Sequence, residues 1–243
     1  MSENLVECTG LVKNYGAGAV LDGIDLTLPA GRIIGLLGPN GTGKTTLIKI
    51  LCGLLRPTAG QVLIDGFAPG AETKARVSYL SDKMYFADWM RAGDMLDMFG
   101  DFYADFDMER AENMCETLEI KPSQRIKTMS KGTKEKLQLI LVMSRKARLY
   151  LLDEPIAGVD PAARDFIMRT ILTNYSKEGT VVISTHLIGD IERVLDEAVF
   201  LRGGRVMLHD TVDGIREKHG KSVDALFREM FRMGPEGGEY GAY

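Results

Sequence analysis

At 243 residues, 45% apolar and 26% charged, the chain has an ordinary globular composition and length enough to bury a substantial core. Its net charge of −4 argues against the basic face that a nucleic-acid binder needs, so no nucleic-acid partner is expected. The three cysteines, Cys8, Cys52 and Cys115, lack metal-ligand spacing and cannot all pair, which points to a reducing compartment.

In chain order, MSENLVECTG lacks the basic-then-apolar order of a signal peptide. Ile24, Leu26 and Leu28 alternate with Asp25 and Thr27, the period of a half-buried strand. The run 32–37 (RIIGLL) is apolar without alternation, as a strand covered on both faces would be. A helix is predicted over about 44–55, with Leu47, Ile48, Leu51 and Leu54 inward and Gly53 near its end. Residues 61–65 and 76–80 read as strands flanking a Gly/Pro turn. From about 83 to 148 the chain turns acidic, Met-rich and aromatic, with helical spacing at Met108, Ala111, Cys115 and Leu118 behind an Asp107 N-cap. This predicts a helical insertion. Strands over 149–152, 181–184 and 198–201 then alternate with helices, one opened by Asp160 and Pro161 and one over about 187–195. That alternation predicts a mostly parallel α/β sheet. Ser222 heads an amphipathic helix carrying Val223, Leu226, Phe227, Met230 and Phe231, expected to pack on its own domain or on a dimer mate. One domain is expected over 1–233, followed by a loose Gly-rich tail over 234–243. No apolar run approaches the roughly 20 residues of a membrane span. A cytoplasmic chain is therefore expected, reaching a membrane only by docking on another protein.

Two motifs carry chemistry. Gly38-Pro39-Asn40-Gly41-Thr42-Gly43-Lys44-Thr45 fits G-x-x-x-x-G-K-[ST], in which backbone N–H groups curl around phosphate oxygens at a helix N-terminus. The glycines permit backbone angles a Cβ forbids. Lys44 would neutralise the β- and γ-phosphates, and the Thr45 hydroxyl would join the Mg²⁺ shell. Such a loop needs an acid on a neighbouring strand. LYLLDE at 149–154 supplies Asp153 for Mg²⁺ and Glu154 to polarise the water attacking the γ-phosphate. ATP and Mg²⁺ are the expected cofactors.

The order of motifs resembles the ATP-binding subunit of an ABC transporter over residues 3–210. Tyr15 in KNYG stands where that family places an aromatic ring under adenine. The phosphate loop follows at 38–46, ending on Thr46, and TMSKGTKEKL stands where the family writes its LSGGQ signature. LYLLDEP, AGVD at 157–160 and His186 in STH complete the order. The resemblance implies a P-loop NTPase of ABC ATPase type, with an N-terminal antiparallel β part and a helical subdomain over about 83–148. It implies head-to-tail pairing with a second ATPase subunit, in which Ser130 and Gly132, at the head of a helix from about Thr133, face the γ-phosphate held by the mate. It also implies Glu154 as general base, His186 on the γ-phosphate, and Asp160 at the nucleotide or partner. A transmembrane permease at the inner face of the cell membrane is implied as well, its coupling helix seated around Met84, Tyr85, Phe86, Trp89 and Met90. The branch resembled is that of bacterial drug, peptide and lipid-precursor exporters.

Three residues depart from the family pattern. Lys131 replaces the first signature Gly, Thr133 replaces its Gln, and Asp82 stands where a Gln usually touches Mg²⁺ or the lytic water. An ionised carboxylate can bind the metal but cannot donate a hydrogen bond. These departures motivate an alternative, a nucleotide-responsive and weakly hydrolysing half of a heterodimer.

Overall fold

The structure is a computed structural model that describes residues 4–231, except 17, 85, 158, 160 and 177. The chain opens with β1 (Asn4–Asn14) and β2 (Ala19–Pro29), an antiparallel pair. β3 (Ile33–Leu37) enters a second sheet, α1 (Lys44–Leu51) follows, and β4 (Ala59–Ile64) returns to pair antiparallel with β1. α2 (Ala71–Lys74) leads into β5 (Val77–Leu80). The predicted insertion then appears as α3 (Ala92–Phe102), α4 (Met108–Thr117) and α5 (Lys131–Met143). β6 (Leu149–Asp153), α6 (Pro161–Asn174), β7 (Thr180–Thr185), α7 (Ile188–Ile191) and β8 (Glu197–Arg202) follow. β9 (Arg205–Thr211), α8 (Val212–His219) and α9 (Val223–Met230) close the described chain.

The larger sheet has the order β5-β6-β7-β3-β8-β9, parallel except for β9 on β8. The smaller has the order β2-β1-β4. Every residue of β3, β6 and β7 is buried, because α1 and the smaller sheet cover one face of the parallel sheet and α5, α6 and the C-terminal helices cover the other, and this is why those strands show no alternation. In β2 one face is wet, so Ile24, Leu26 and Leu28 are buried and the residues between them are not.

α1 stops four residues short of the predicted end. Gly53 takes φ 67°, its N–H donates to the Ile50 carbonyl at 2.9 Å, and the Leu54 N–H donates to the Lys49 carbonyl at 2.8 Å. That paired closure is a left-handed glycine C-cap, which ends the helix. Leu54, expected inward, is consequently 57% exposed. The helix expected over 187–195 also shortens, to α7 and a single 3₁₀ turn, Glu192–Val194. The chain must rejoin the sheet there: Asp196 N–H donates to the Ile33 carbonyl at 2.8 Å, and Ile33 N–H donates to the Asp196 carboxylate at 2.7 Å.

The insertion has its own core, in which Met95, Leu96 and Phe99 of α3 and Ala111 and Cys115 of α4 meet Leu137 and Ile140 of α5. Asp107 caps α4 as expected, accepting from the Arg110 N–H at 3.1 Å. The opposite face of α5, with Leu139, Val142 and Met143, belongs to the sheet's core, so α5 is shared by both layers. Buried Arg145 fastens the join: it pairs with Asp105 at 2.9 Å and donates to the Val77 and Ala75 carbonyls at 2.6 and 2.7 Å. Ser222 caps α9; its Phe227 ring and that of Phe231, the residue just past its end, lie 5.5 and 6.1 Å from Phe200, so this helix packs on its own domain. Cys8, Cys52 and Cys115 are buried free thiols. Tyr85, Asp160 and the tail at 234–243 lie outside the described residues.

Candidate active site

β3 ends under the phosphate loop, and two close contacts require its outer glycines. A Cβ on Gly38 would lie 2.5 Å from the Leu201 carbonyl oxygen; one on Gly43, where φ is 103°, would lie 2.8 Å from the Val20 carbonyl oxygen. Gly43 heads α1 without a side-chain cap. The first-turn amides of α1 therefore keep no partner within the helix and face outward at its positive end. Gly41, at φ 83°, has nothing within 4 Å of its Cβ position, so the outer side of the loop is open. Asn40 beside it is exposed, and Thr46 is half-buried in the first turn of α1. The Thr42 hydroxyl holds the turn by donating to the Pro39 carbonyl at 2.9 Å. Lys44 is only 5% exposed; its ammonium donates to the Gly38 and Pro39 carbonyls at 2.8 and 3.2 Å. Burial pushes the pKa of Lys44 down, and the nearby Glu154 carboxylate opposes that shift.

The two acids sit at the end of β6. Asp153 is fully buried; one carboxylate oxygen accepts from the Ser184 hydroxyl at 2.6 Å and from the Thr45 hydroxyl at 3.2 Å. Its other oxygen, Oδ2, is buried with no partner. Burial raises the pKa of Asp153, and the two hydroxyls oppose the rise. A hydroxyl and an orphaned carboxylate oxygen side by side make a donor set suited to a hard divalent cation. Among the described residues no three His, Cys, Asp or Glu side chains converge as a cage. Such an ion would complete its shell from phosphate and water.

Glu154 adopts φ 51°, a left-handed conformation uncommon for a residue with a Cβ. Its N–H, held by the Ser184 carbonyl at 3.0 Å, fixes that turn. The carboxylate is thereby aimed at the Lys44 ammonium, 3.6 Å away, and at His186 Nδ1, 3.1 and 3.2 Å from its two oxygens. Three residues distant in sequence thus converge.

A cavity of about 420 Å³ opens between the first turns of α5 and the ends of β5 and β6, lined by Asp82, Lys131, Lys134, Gln138, Asp153 and Glu154. Asp82 is exposed at its rim and accepts from the Ser81 hydroxyl at 3.3 Å. Its charge adds to the rise at Asp153. Ser130 is the N-cap of α5, accepting from the Thr133 N–H at 3.1 Å, so the helix begins at Lys131 rather than at Thr133 as predicted. Ser130 and Gly132 are exposed, and nothing lies within 4 Å of a Cβ on Gly132. Among the described residues no hydrogen bond joins either of them to the phosphate loop. Tyr15 is 55% exposed, with the Lys13 ammonium 5.1 Å from its ring centroid. Trp89 is 77% exposed, whereas Phe86 and Met90 pack against the insertion core. Sequence reasoning missed Ser184 and Gln138. Each had a signal: a polar side chain inside an apolar run, VVIST and LQLILVM.

Residues 21–157 match the sequence family described as ABC transporter. The Nod factor export ATP-binding protein I of Rhizobium sp. (strain N33) is 28% identical over 236 residues, covering 93% of this chain and 78% of its own. The daunorubicin resistance ATP-binding protein DrrA3 of Streptomyces coeruleorubidus is 28% identical over 243 residues, covering 96% and 77%. A solved ATP-binding subunit of an ABC transporter superposes with a TM-score of 0.84 at 29% identity, covering 94% of this chain and all of that one.

Proposed function

The chain belongs to the ABC transporter family as an ATP-binding, ATP-hydrolysing subunit, and on that premise we propose that it drives export through a separate transmembrane permease. The single observation that carries the reading is the Glu154 carboxylate held between Lys44 and His186, beside the orphaned oxygen of Asp153. Lys44 would exchange its two loop carbonyls for the β- and γ-phosphates, with the amides around Gly41, Thr42, Gly43 and Thr46 closing on phosphate oxygens. Thr45 and Asp153 would hold Mg²⁺, with Asp82 reaching it from the cavity rim. Mg²⁺, when bound, would supply neutralisation of the charge that develops on the phosphates. Glu154 would take a proton from the water attacking the γ-phosphorus, while His186 steadies the γ-phosphate and ADP departs. Tyr15 would stack on adenine.

Ser130 and Gly132 are exposed and, among the described residues, make no hydrogen bond to their own loop, so their phosphate would come from a second ATPase subunit. One chain carries both the cradle and the lid, and two copies would form two complete sites, with Asp160 at the seam. ATP would close the pair and hydrolysis would release it, pulling a permease seated near Trp89 at the inner face of the membrane. Relatives named for Nod factor export and daunorubicin resistance support the export direction.

Asp82, Lys131 and Thr133 favour a second reading, a nucleotide-responsive and weakly hydrolysing half of a heterodimer. The intact Lys44–Glu154–His186 contacts weigh against it. Single-turnover hydrolysis by the purified chain separates the two. Cleavage well above a Glu154→Gln control supports the first reading; cleavage at the control level favours the second.

A further inference from the structure

We infer that Gln138 is a positioning residue that holds the Asp82 loop to the helix bearing Ser130 and Gly132, an inference that rests on the site roles proposed above. Gln138 is 3% exposed, within an otherwise apolar run of α5. A buried amide among apolar side chains is costly unless it is hydrogen-bonded. Its partner is not on its own helix: Nε2 donates to the Ser81 carbonyl at 3.1 Å, one residue before Asp82. Ser81 in turn donates its hydroxyl to the Asp82 carboxylate at 3.3 Å and accepts from the Lys83 N–H at 3.2 Å. Gln138 therefore acts on the backbone of the residue that sets Asp82.

This bond is one of three that tie α5 and the turn after it to β5 and the residue that follows β5. The Ser78 hydroxyl donates to the Val142 carbonyl at 2.9 Å, and Arg145 donates to the Val77 carbonyl at 2.6 Å. Gln138 and Val142 fall at i and i+4 on one face of α5, and Arg145 follows two residues past its end. They meet Ser78 and Val77 of β5 and Ser81 just past its end, so helix and strand run antiparallel. The two bonds at the far end are fully buried. The Gln138 bond stands at the cavity beside Asp153 and Glu154. Ser130 lies about 12 Å up the same helix at 1.5 Å per residue. A pull on that end tilts α5 about its fixed far end, and the Gln138–Ser81 bond carries the tilt to Asp82. The bond thus links the helix that meets the mate to the acid at the rim of the site.

Gln138→Leu tests this, with Gln138→Met as a second variant should leucine disturb folding. In the nucleotide-free chain, amide exchange at Asp82, Lys83 and Met84 should quicken about tenfold, the worth of one hydrogen bond. Exchange at Val77–Leu80 and Ile140–Met143 should stay unchanged. With Mg·ATP, kcat should fall several-fold at nearly constant KM, and the fall should vanish in an Asp82→Ala background. Exchange that quickens uniformly, or a kcat loss of equal size in both backgrounds, would overturn the inference. The exchange measurement needs neither nucleotide nor turnover, so it decides the matter even if the chain proves a poor ATPase.

Discussion

Replacing Gly132 by Ala should stabilise the isolated chain and slow the working pair. Gly132 is the second residue of α5, its φ lies outside the left-handed region, and nothing stands within 4 Å of a Cβ there. Within this chain, then, nothing requires glycine. A helical Gly→Ala change at a compatible site gains about 0.5–1 kcal/mol, chiefly by restricting the unfolded chain. For a chain of this size that is a melting-point rise of roughly 1–4 °C. The opposite holds once a phosphate from the mate must approach the first-turn amides of α5. A methyl group on that face holds the phosphate off, and losing one charge-assisted hydrogen bond costs about 1.5–3 kcal/mol. Steady-state ATPase at saturating ATP should therefore fall roughly 10- to 150-fold. Thermal melts without nucleotide and ATPase assays on the same preparation measure both halves. A higher melting point with undiminished turnover would mean that no phosphate comes near Gly132, and a lower melting point would refute the local reading of α5.

Two further substitutions probe the site and the insertion. Ser184→Ala removes the 2.6 Å donor to buried Asp153; losing a hydrogen bond that orients a metal-holding carboxylate should weaken metal affinity about 10- to 100-fold, and a Mg²⁺ titration of turnover would show the displaced midpoint. Asp107→Ala removes the α4 cap and should cost about 1 kcal/mol near neutral pH. The Asp107 pKa is lowered first by the Arg110 amide and then by Lys146. Its folded value thus lies below the unfolded value of about 3.9. The cap's charge contribution is complete above that value and is lost as pH falls through the folded one, so wild-type and variant melts should converge in acid.

The parts legible in the sequence were those set by local rules. The G-x-x-x-x-G-K-T loop, the apolar strand before Asp153 and the Asp107 cap are each fixed by near neighbours, and each falls where the pattern put it. The errors came from closures that depend on distant atoms. Leu54 fits the inward stripe of α1, but the left-handed Gly53 ends the helix before Leu54 can use it. β9 was not anticipated because its pairing comes from β8, not from its own mixed sequence. Glu154 could be named as an acid after a strand, yet its left-handed backbone and its place between Lys44 and His186 exist only once β6, β7 and the loop are assembled. Gln138 is a polar residue in an apolar run, and its partner, the Ser81 carbonyl, is distant in sequence and visible only in the folded chain.

The claim of a shared site is tested most directly by the solution mass of the Glu154→Gln chain, in which ATP would be bound but not cleaved. Sedimentation should show a monomer without nucleotide and with Mg·ADP, and a dimer with saturating Mg·ATP. A monomer under all three conditions at high protein concentration would contradict the pairing of Ser130 and Gly132 with a phosphate held by a second copy.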